Sequence, residues 1–222
     1  MKQISIPFVE GLEKMDLQTL EGTLEQKGVK APVCENNWPQ VAPYAPDCTA
    51  VVARSATHLA VLYHVRGLDL RATALEDGGN SWEDSCCECF LADPADGTYY
   101  NFELTCIGSL LASKRRSRAE STPLGPDALA QVIRFSSLPF KAVEEKDRIF
   151  TWTAGMLIPF RLVGVDPERL PERLRGNFYK CGDLTAHPHF LSWSPISTPS
   201  PDFHRPEFFG ELLLRVGEPV EP

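Results

Sequence analysis

Proline and glycine interrupt this chain so often that long helices have little room to form. The sequence contains 19 prolines and 15 glycines in 222 residues, and both residue types end helices and mark turns. Between them lie short segments in which apolar residues alternate, as in 58–66 (HLAVLYHVR), where Leu59, Val61 and Tyr63 share one face. Such strands, without the long helices of βαβ units, predict an all-β fold: an antiparallel, jelly-roll-like β-sandwich with a few short helical turns.

The length fits one such unit, because β-sandwiches often run to about 200 residues or more. No segment has the composition of a linker between two cores, so we expect a single domain over residues 1–222. Its first part, about 1–48, is expected to form an N-terminal arm. Within the arm, residues 10–25 fit a short helix or an extended segment equally well.

Charge and hydropathy argue against two kinds of partner. A formal net charge of −8 disfavours binding of nucleic acid through bulk charge. The longest apolar runs, such as 154–160, are far shorter than the roughly 18 residues of a membrane span. Residues 1–11 lack the apolar stretch of a signal peptide. We therefore expect a soluble, cytoplasmic protein with no nucleic-acid or membrane partner, and its oligomeric state stays open.

Seven cysteines, an odd number, are expected to be reduced thiols. Three of them crowd into residues 86–89 (CCEC), which contains C-x-x-C. A zinc site would need a second such pair or histidines at ligand spacing, and only His187 and His189 are available. The pattern favours small apolar side chains on a strand over a metal site.

The clearest hairpin is predicted over residues 84–106, with its turn at 93–97 (DPADG). Folding about this turn places Glu88 opposite Asn101. Because side chains alternate along a strand, one face of the hairpin is apolar and is expected to face the core. This face carries Cys87, Cys89, Leu91, Tyr100, Phe102 and Leu104.

The other face of this hairpin carries the first candidate binding residues. Glu88, Asn101 and Glu103 project from it, and Trp82 has the same parity just before the strand. An exposed indole can stack on the C–H face of a sugar, while carboxylate and amide groups bond its hydroxyls. The alternative is that Trp82 belongs to the core and Glu88 to a solvated face.

A second candidate group lies in a loop bounded by prolines near the C-terminus. Phe203, His204 and Arg205 combine aromatic and hydrogen-bonding groups there. They are candidates for ligand contacts. A loop that merely covers one end of the sandwich would explain them equally well.

Taken together, the motifs resemble the carbohydrate-binding modules of family 9, and more closely the stand-alone proteins of that superfamily. The resemblance covers about residues 48–216, and the order and spacing of the motifs make it specific. The motifs are SWEDSCCECF at 81–90, Y-x-F at Tyr100 and Phe102, NFYKC at 177–181, HFLSWSP at 189–195, and P-x-x-F-G ending at Gly210.

This resemblance implies a β-sandwich that binds a mono- or oligosaccharide without cleaving it, clamped between two aromatic rings. Trp82 matches the first ring, and Phe203 stands where the family has a second, usually a Trp. Glu88 matches a carboxylate at the rim and Asn101 an amide. The family implies no cofactor, although members can hold structural calcium, for which no ligand set maps here. The basic loop Lys114–Arg118 is not a family feature; it could meet an acidic sugar, but a solvated loop is favoured.

Two other functions stay open at this point. Glu88 and Glu103 share a face, and a pair of carboxylates about 5–10 Å apart is the usual machinery of a glycoside hydrolase. A scaffold that binds a protein partner is the other possibility, and its mark would be a fully buried Trp82 with a large exposed apolar patch.

Overall fold

Two β-sheets packed face to face make up the computed structural model, which describes residues 2–93 and 95–214. The strands are β1 (Gln3–Ile6), β2 (Val29–Pro32), β3 (Glu35–Asn36), β4 (Asp47–Arg54), β5 (His58–Ala72), β6 (Cys86–Ala92), β7 (Tyr99–Thr105), β8 (Leu110–Arg115), β9 (Ser121–Pro123), β10 (Ile133–Ser136), β11 (Val143–Pro159), β12 (Arg173–Cys181), β13 (Phe190–Ser192) and β14 (Gly210–Leu214). The helices are α1 (Leu17–Lys27) and α2 (Pro126–Leu129), and 3-10 turns occur at Leu12–Lys14, Ser81–Glu83, Phe160–Val163, Pro167–Arg169 and Pro206–Phe208. Within the described ranges, no helix has the length and apolar character needed to cross a membrane.

The two sheets differ in size and in what they carry. The larger, here called the site sheet, has the order β1-β14-β12-β6-β7-β8-β9, and β13 joins β12 to β3 beside it. The smaller, the back sheet, has the order β10-β11-β5-β4-β2. The paired strands run antiparallel, apart from the parallel pair β1 and β14. The β-sandwich predicted from the sequence is therefore confirmed.

Alternation along the strands builds the core between the sheets. Val61 of β5 and Trp152 of β11 point inward from the back sheet, and Phe102 and Phe178 point inward from the site sheet. All four are buried. The face of the β6–β7 hairpin that was predicted to be apolar lies in this core with all six of its residues.

The pairing of that hairpin differs from the prediction by two residues. Glu88 lies opposite Glu103, and Asn101 lies opposite Phe90. The loop is longer than the predicted turn because the Asp93 N–H donates to the Thr98 carbonyl at 2.8 Å, and pairing starts only beyond these two residues. A shift by two residues keeps every side chain on its predicted face, but it changes which polar groups meet.

The segment predicted as an N-terminal arm is built into both sheets. β1 pairs with β14, and β2 pairs with β4. Residues 17–27 are helical: the Asp16 side chain caps α1 by accepting from the Thr19 N–H at 3.0 Å. Leu20 and Leu24 of this helix are buried against the outer face of the back sheet. These contacts hold the segment against the sandwich.

Residues 194–209, here called the cover segment, lie over the outer face of the site sheet. The Phe203 ring stacks on Tyr179 of β12 with centroids 4.2 Å apart, and His204 packs on Phe90 of β6 at 5.1 Å. Asn177 of β12 bonds both the N–H and the carbonyl of Ser194. The face that the sequence predicted to be open is therefore partly covered.

We expect Gly155→Ala to destabilise the protein by about 1–3 kcal/mol, because overpacking strains a filled core. Gly155 in β11 lies opposite Phe135 in β10, and an added Cβ would overlap the Phe135 ring. Gly22→Ala is the control, since no atom lies within 4 Å of its Cβ position and alanine favours the α1 helix by up to about 1 kcal/mol. Urea denaturation measures both, and wild-type stability in Gly155→Ala would show that the ring moves aside freely.

Candidate functional site

A cavity of about 390 Å³ lies between the outer face of the site sheet and the cover segment. Here it is called the site cavity. Its lining includes the rings Trp82, Phe190, Phe203 and His204, the acids Glu88, Glu103, Asp183 and Asp202, and the bases Arg115 and Arg118, together with Cys181 and Pro201. Four of the residues predicted from the sequence to contact a ligand therefore line one cavity, although they come from segments about 120 residues apart.

Two carboxyl groups form the floor of the cavity. Glu88 and Glu103 are cross-strand neighbours on β6 and β7, and each is only 3% exposed. Glu88 Oε1 accepts from the Cys181 thiol at 2.9 Å, and Glu103 Oε1 accepts from Asn101 Nδ2 at 2.7 Å. Within the described part of the chain, Glu103 Oε2 is buried with no hydrogen-bond partner. The predicted rim carboxylate thus lies at the bottom of the cavity.

Desolvation controls the charge on this floor. Burial raises the pKa of Glu88 well above its ordinary value, and the neighbouring Glu103 raises it further. Burial also raises the pKa of Glu103 to about 7, against the opposing effects of Asn101 and Arg115. The pKa of Asp183 is raised to about 6 by burial. Since these values exceed those of free carboxyls, the floor can donate as well as accept hydrogen bonds near neutral pH.

The Trp82 ring is half-buried and stands on a 3-10 turn that is tied down from two sides. The next residue but one, Asp84, is buried, forms an ion pair with Arg71 and accepts from the Thr73 N–H at 2.8 Å. On the other side, the Asp183 N–H donates to the Trp82 carbonyl at 3.1 Å. The backbone that carries the indole is therefore held between β5 and the turn after β12.

Phe203 is less open than the sequence suggested. Its ring is 8% exposed and nearly parallel to Tyr179, at an interplanar angle of 11°. One face of Phe203 is therefore covered by protein, and a clamp of two open rings is not what the structure has. Phe190, half-buried and 6.3 Å from Phe203, lines the same wall.

Asn101 and the basic loop lie behind and beside the floor. Asn101 is fully buried and does not line the cavity, but its Oδ1 accepts from Arg115 Nε at 2.8 Å. Arg115 in turn donates to the carbonyl of Arg118, and Arg118 donates to the Pro201 carbonyl at 3.3 Å. Two arginines of the Lys114–Arg118 loop thus reach the cavity, whereas the sequence favoured a solvated loop.

His204 and Arg205 are neighbours with different surroundings. His204 Nδ1 lies 3.1 Å from the Tyr99 hydroxyl. Burial, together with the charges of Arg115 and Arg118, lowers the pKa of His204 to about 3, so this ring is neutral at physiological pH. Arg205 does not line the cavity and forms an ion pair with Glu207 at 2.6 Å.

Several cavity residues were not among the sequence candidates. Cys181 ends β12, Asp183 follows it, and Arg115 ends β8, so only the order of the strands brings them beside β6 and β7. Alternation along a strand could not predict which way Phe190 and Arg118 point, because both lie at or beyond the ends of short strands. Strand pairing over long sequence separations was the missing information.

Asp69, Asp147 and His187 form a group of possible metal ligands, whose ligand atoms lie within 4.8 Å of one another. Both Asp69 oxygens already accept bonds, Oδ1 from the Asp147 N–H at 3.1 Å and Oδ2 from the His187 N–H at 2.7 Å. Calcium prefers six to eight oxygen ligands. These residues do not fit the structural calcium that the resemblance allowed.

The sequence matches the model of carbohydrate-binding family 9 over residues 19–214. The chain belongs to carbohydrate-binding family 9. A protein from Bacteroides uniformis ATCC 8492, provisionally assigned as carbohydrate-binding, shares 32% identity with this family member and superimposes with a TM-score of 0.87, covering 96% of this chain and 99% of the other.

Two structures of a family 9 module from Caldicellulosiruptor kristjanssonii share the fold. The complex with glucose has 10% identity and a TM-score of 0.60, with full coverage of both chains. The complex with cellotriose has 12% identity and a TM-score of 0.59, covering 100% of this chain and 98% of the other. No match is found among curated proteins.

We expect His204→Asn to cost stability at neutral pH and to cost less at lower pH. Unfolded His204 binds a proton near pH 6.5, whereas the folded ring stays neutral to about pH 3, so the wild type loses stability from this group as the pH falls through 6.5. The difference in unfolding free energy between variant and wild type should therefore shrink, by up to about 1.4 kcal/mol for each pH unit below 6.5.

Urea denaturation at about pH 7.5 and about pH 5.5 measures this change. Ser194→Ala, also in the cover segment, removes no titrating group, so its difference in unfolding free energy from wild type should be the same at both pH values. An unchanged difference for His204→Asn would mean that the folded ring takes up a proton as readily as the unfolded one.

Proposed function

We propose that this family 9 protein binds a mono- or oligosaccharide in the site cavity without cleaving it. The observation that carries the proposal is a half-buried indole, Trp82, beside a floor of buried carboxyl groups, one oxygen of which has no hydrogen-bond partner in the part of the chain that the structure describes. Sugars need this combination, because they present an apolar C–H face and a rim of hydroxyls.

Each part of the cavity has a role in this proposal. Trp82 stacks on the C–H face of a sugar ring, and Phe190 borders the other wall. Glu103 Oε2, which has no partner among residues 2–93 and 95–214, accepts from a hydroxyl, since a buried acceptor left unpaired costs about 1–3 kcal/mol. Asp183 and Arg118 offer further polar contacts at the mouth.

The expected affinity is modest. A good aromatic contact adds on the order of 1 kcal/mol beyond the burial of area, and the sugar gives up water hydrogen bonds to make its own. The proposal therefore expects dissociation constants in the μM–mM range. Glucose and cellotriose, which the Caldicellulosiruptor module binds, are reasonable first ligands for a panel.

Trp82→Ala should weaken binding by about tenfold, equivalent to about 1.4 kcal/mol, because it removes the stacking surface. Calorimetric titration with glucose, cellotriose and acidic and amino sugars measures the effect. Phe140→Ala is the matched control, since Phe140 is 61% exposed and lies outside the cavity. Failure of the wild type to bind any sugar in the panel, or equal binding by Trp82→Ala, would overturn the proposal.

A glycoside hydrolase is the second candidate, favoured by one observation. Glu88 and Glu103 are directly opposed, buried, and have raised pKa values, which is how a general acid is kept protonated near neutral pH. This candidate expects release of product from a chromogenic glycoside and its loss in Glu88→Gln. The non-catalytic proposal expects no release by the wild type.

The scaffold alternative has less support. Its mark was a fully buried Trp82, whereas this ring is half-buried and lines the cavity.

A further inference from the structure

Two cysteines and a glutamate that are distant in sequence come together at the floor of the site cavity. Cys86 lies directly opposite Cys181 where β6 pairs with β12, and Glu88 projects from the same face two residues further along β6. The two sulfur atoms and a Glu88 oxygen all lie within 4.8 Å of one another. None of the three residues is more than 3% exposed.

This donor set is typical of one class of metal ion. Two thiolates and a carboxylate suit Zn²⁺, whose bonds to sulfur of about 2.3 Å in a tetrahedron put two sulfurs roughly 3.8 Å apart. Such a spacing needs only small side-chain adjustments here. Calcium and magnesium, which prefer oxygen, would leave both thiols unused.

A second observation points to the same place. Glu103, 3% exposed and paired across the strands with Glu88, has a buried Oε2 without a partner in the described chain. It faces the cavity that Glu88 and Cys181 also line. A metal held by two thiolates and one carboxylate would have a fourth position free for a water or hydroxyl. Such a ligand donates a strong hydrogen bond, which Glu103 Oε2 could accept.

The charge of the occupied site has a nearby counterpart. Two thiolates and one carboxylate around Zn²⁺ carry a net charge of −1. The buried Lys180 side chain, whose Nζ donates to the Cys181 carbonyl at 2.6 Å, lies next to this group and would offset that charge.

We propose that Cys86, Cys181 and Glu88 bind one Zn²⁺ at the floor of the site cavity, with the fourth position open toward the cavity and Glu103. Binding forms two zinc–sulfur bonds and one zinc–oxygen bond, and it releases to solvent both thiol protons and the carboxyl proton of any Glu88 that is protonated. The three metal ligands are not among the sugar contacts proposed above, but the two sites share Glu103, so a sugar hydroxyl that bonds Oε2 would take the place of the metal-bound water.

The test uses the reduced full-length protein with Co²⁺ as a spectroscopic probe and Zn²⁺ as its competitor. We expect one metal ion per chain, an absorption band from thiolate-to-cobalt charge transfer, and loss of that band when Zn²⁺ is added. Cys86→Ser and Cys181→Ser should each weaken metal binding by at least about tenfold. Cys34→Ser removes an exposed cysteine and should leave binding unchanged.

The wild-type spectrum keeps the proposal falsifiable even if a variant fails to fold. Absence of the charge-transfer band in folded, reduced wild type would overturn it, as would a Cys86–Cys181 disulfide that forms in place of metal binding. Retention of the band in a folded Cys86→Ser or Cys181→Ser would overturn it too. Sugar titrations with and without Zn²⁺ separate this result from the proposed function, since either can fail alone.

Discussion

The packing of the cover segment onto the outer face of the site sheet is the contact on which the cavity depends. Phe203 stacks on Tyr179, whose hydroxyl also donates to the Phe203 carbonyl at 3.1 Å, and the Trp38 indole donates to the Thr198 carbonyl at 2.8 Å. Tyr179 lies in β12 and Trp38 follows β3, so these contacts attach the cover segment to the site sheet and to the loop after β3. Without them the polar residues of β6 and β7 would face water, and nothing would enclose a ligand.

Enclosure changes the chemistry of the groups beneath. A carboxyl in water is charged at neutral pH, but the same group under an aromatic cover loses hydration and retains its proton to a higher pH. Glu88, Glu103 and Asp183 all show pKa values raised chiefly by burial. The cavity therefore combines groups able to donate and to accept, which suits both sugar hydroxyls and a metal-bound ligand.

Strand order decides which of these groups meet. β6 is central, with β7 on one side and β12 on the other. Its outward side chains therefore have neighbours on both sides: Glu88 lies opposite Glu103 of β7, and Cys86 lies opposite Cys181 of β12. The proposed sugar contacts and the proposed metal ligands share this strand, and they are close because its outward side chains are only two residues apart.

Local sequence determined the fold class, the hairpin and the faces of its strands, because the alternation of side chains depends only on neighbouring residues. It also pointed to Trp82, Glu88, Phe203 and His204, all of which line one cavity. It did not determine that Glu88 meets Glu103 rather than Asn101, since the hydrogen bond between Asp93 and Thr98 sets the register. Nor could it place Cys181 beside Cys86, or cover the carboxyl groups, because pairing and burial between residues about 100 positions apart are decided only when the whole chain packs.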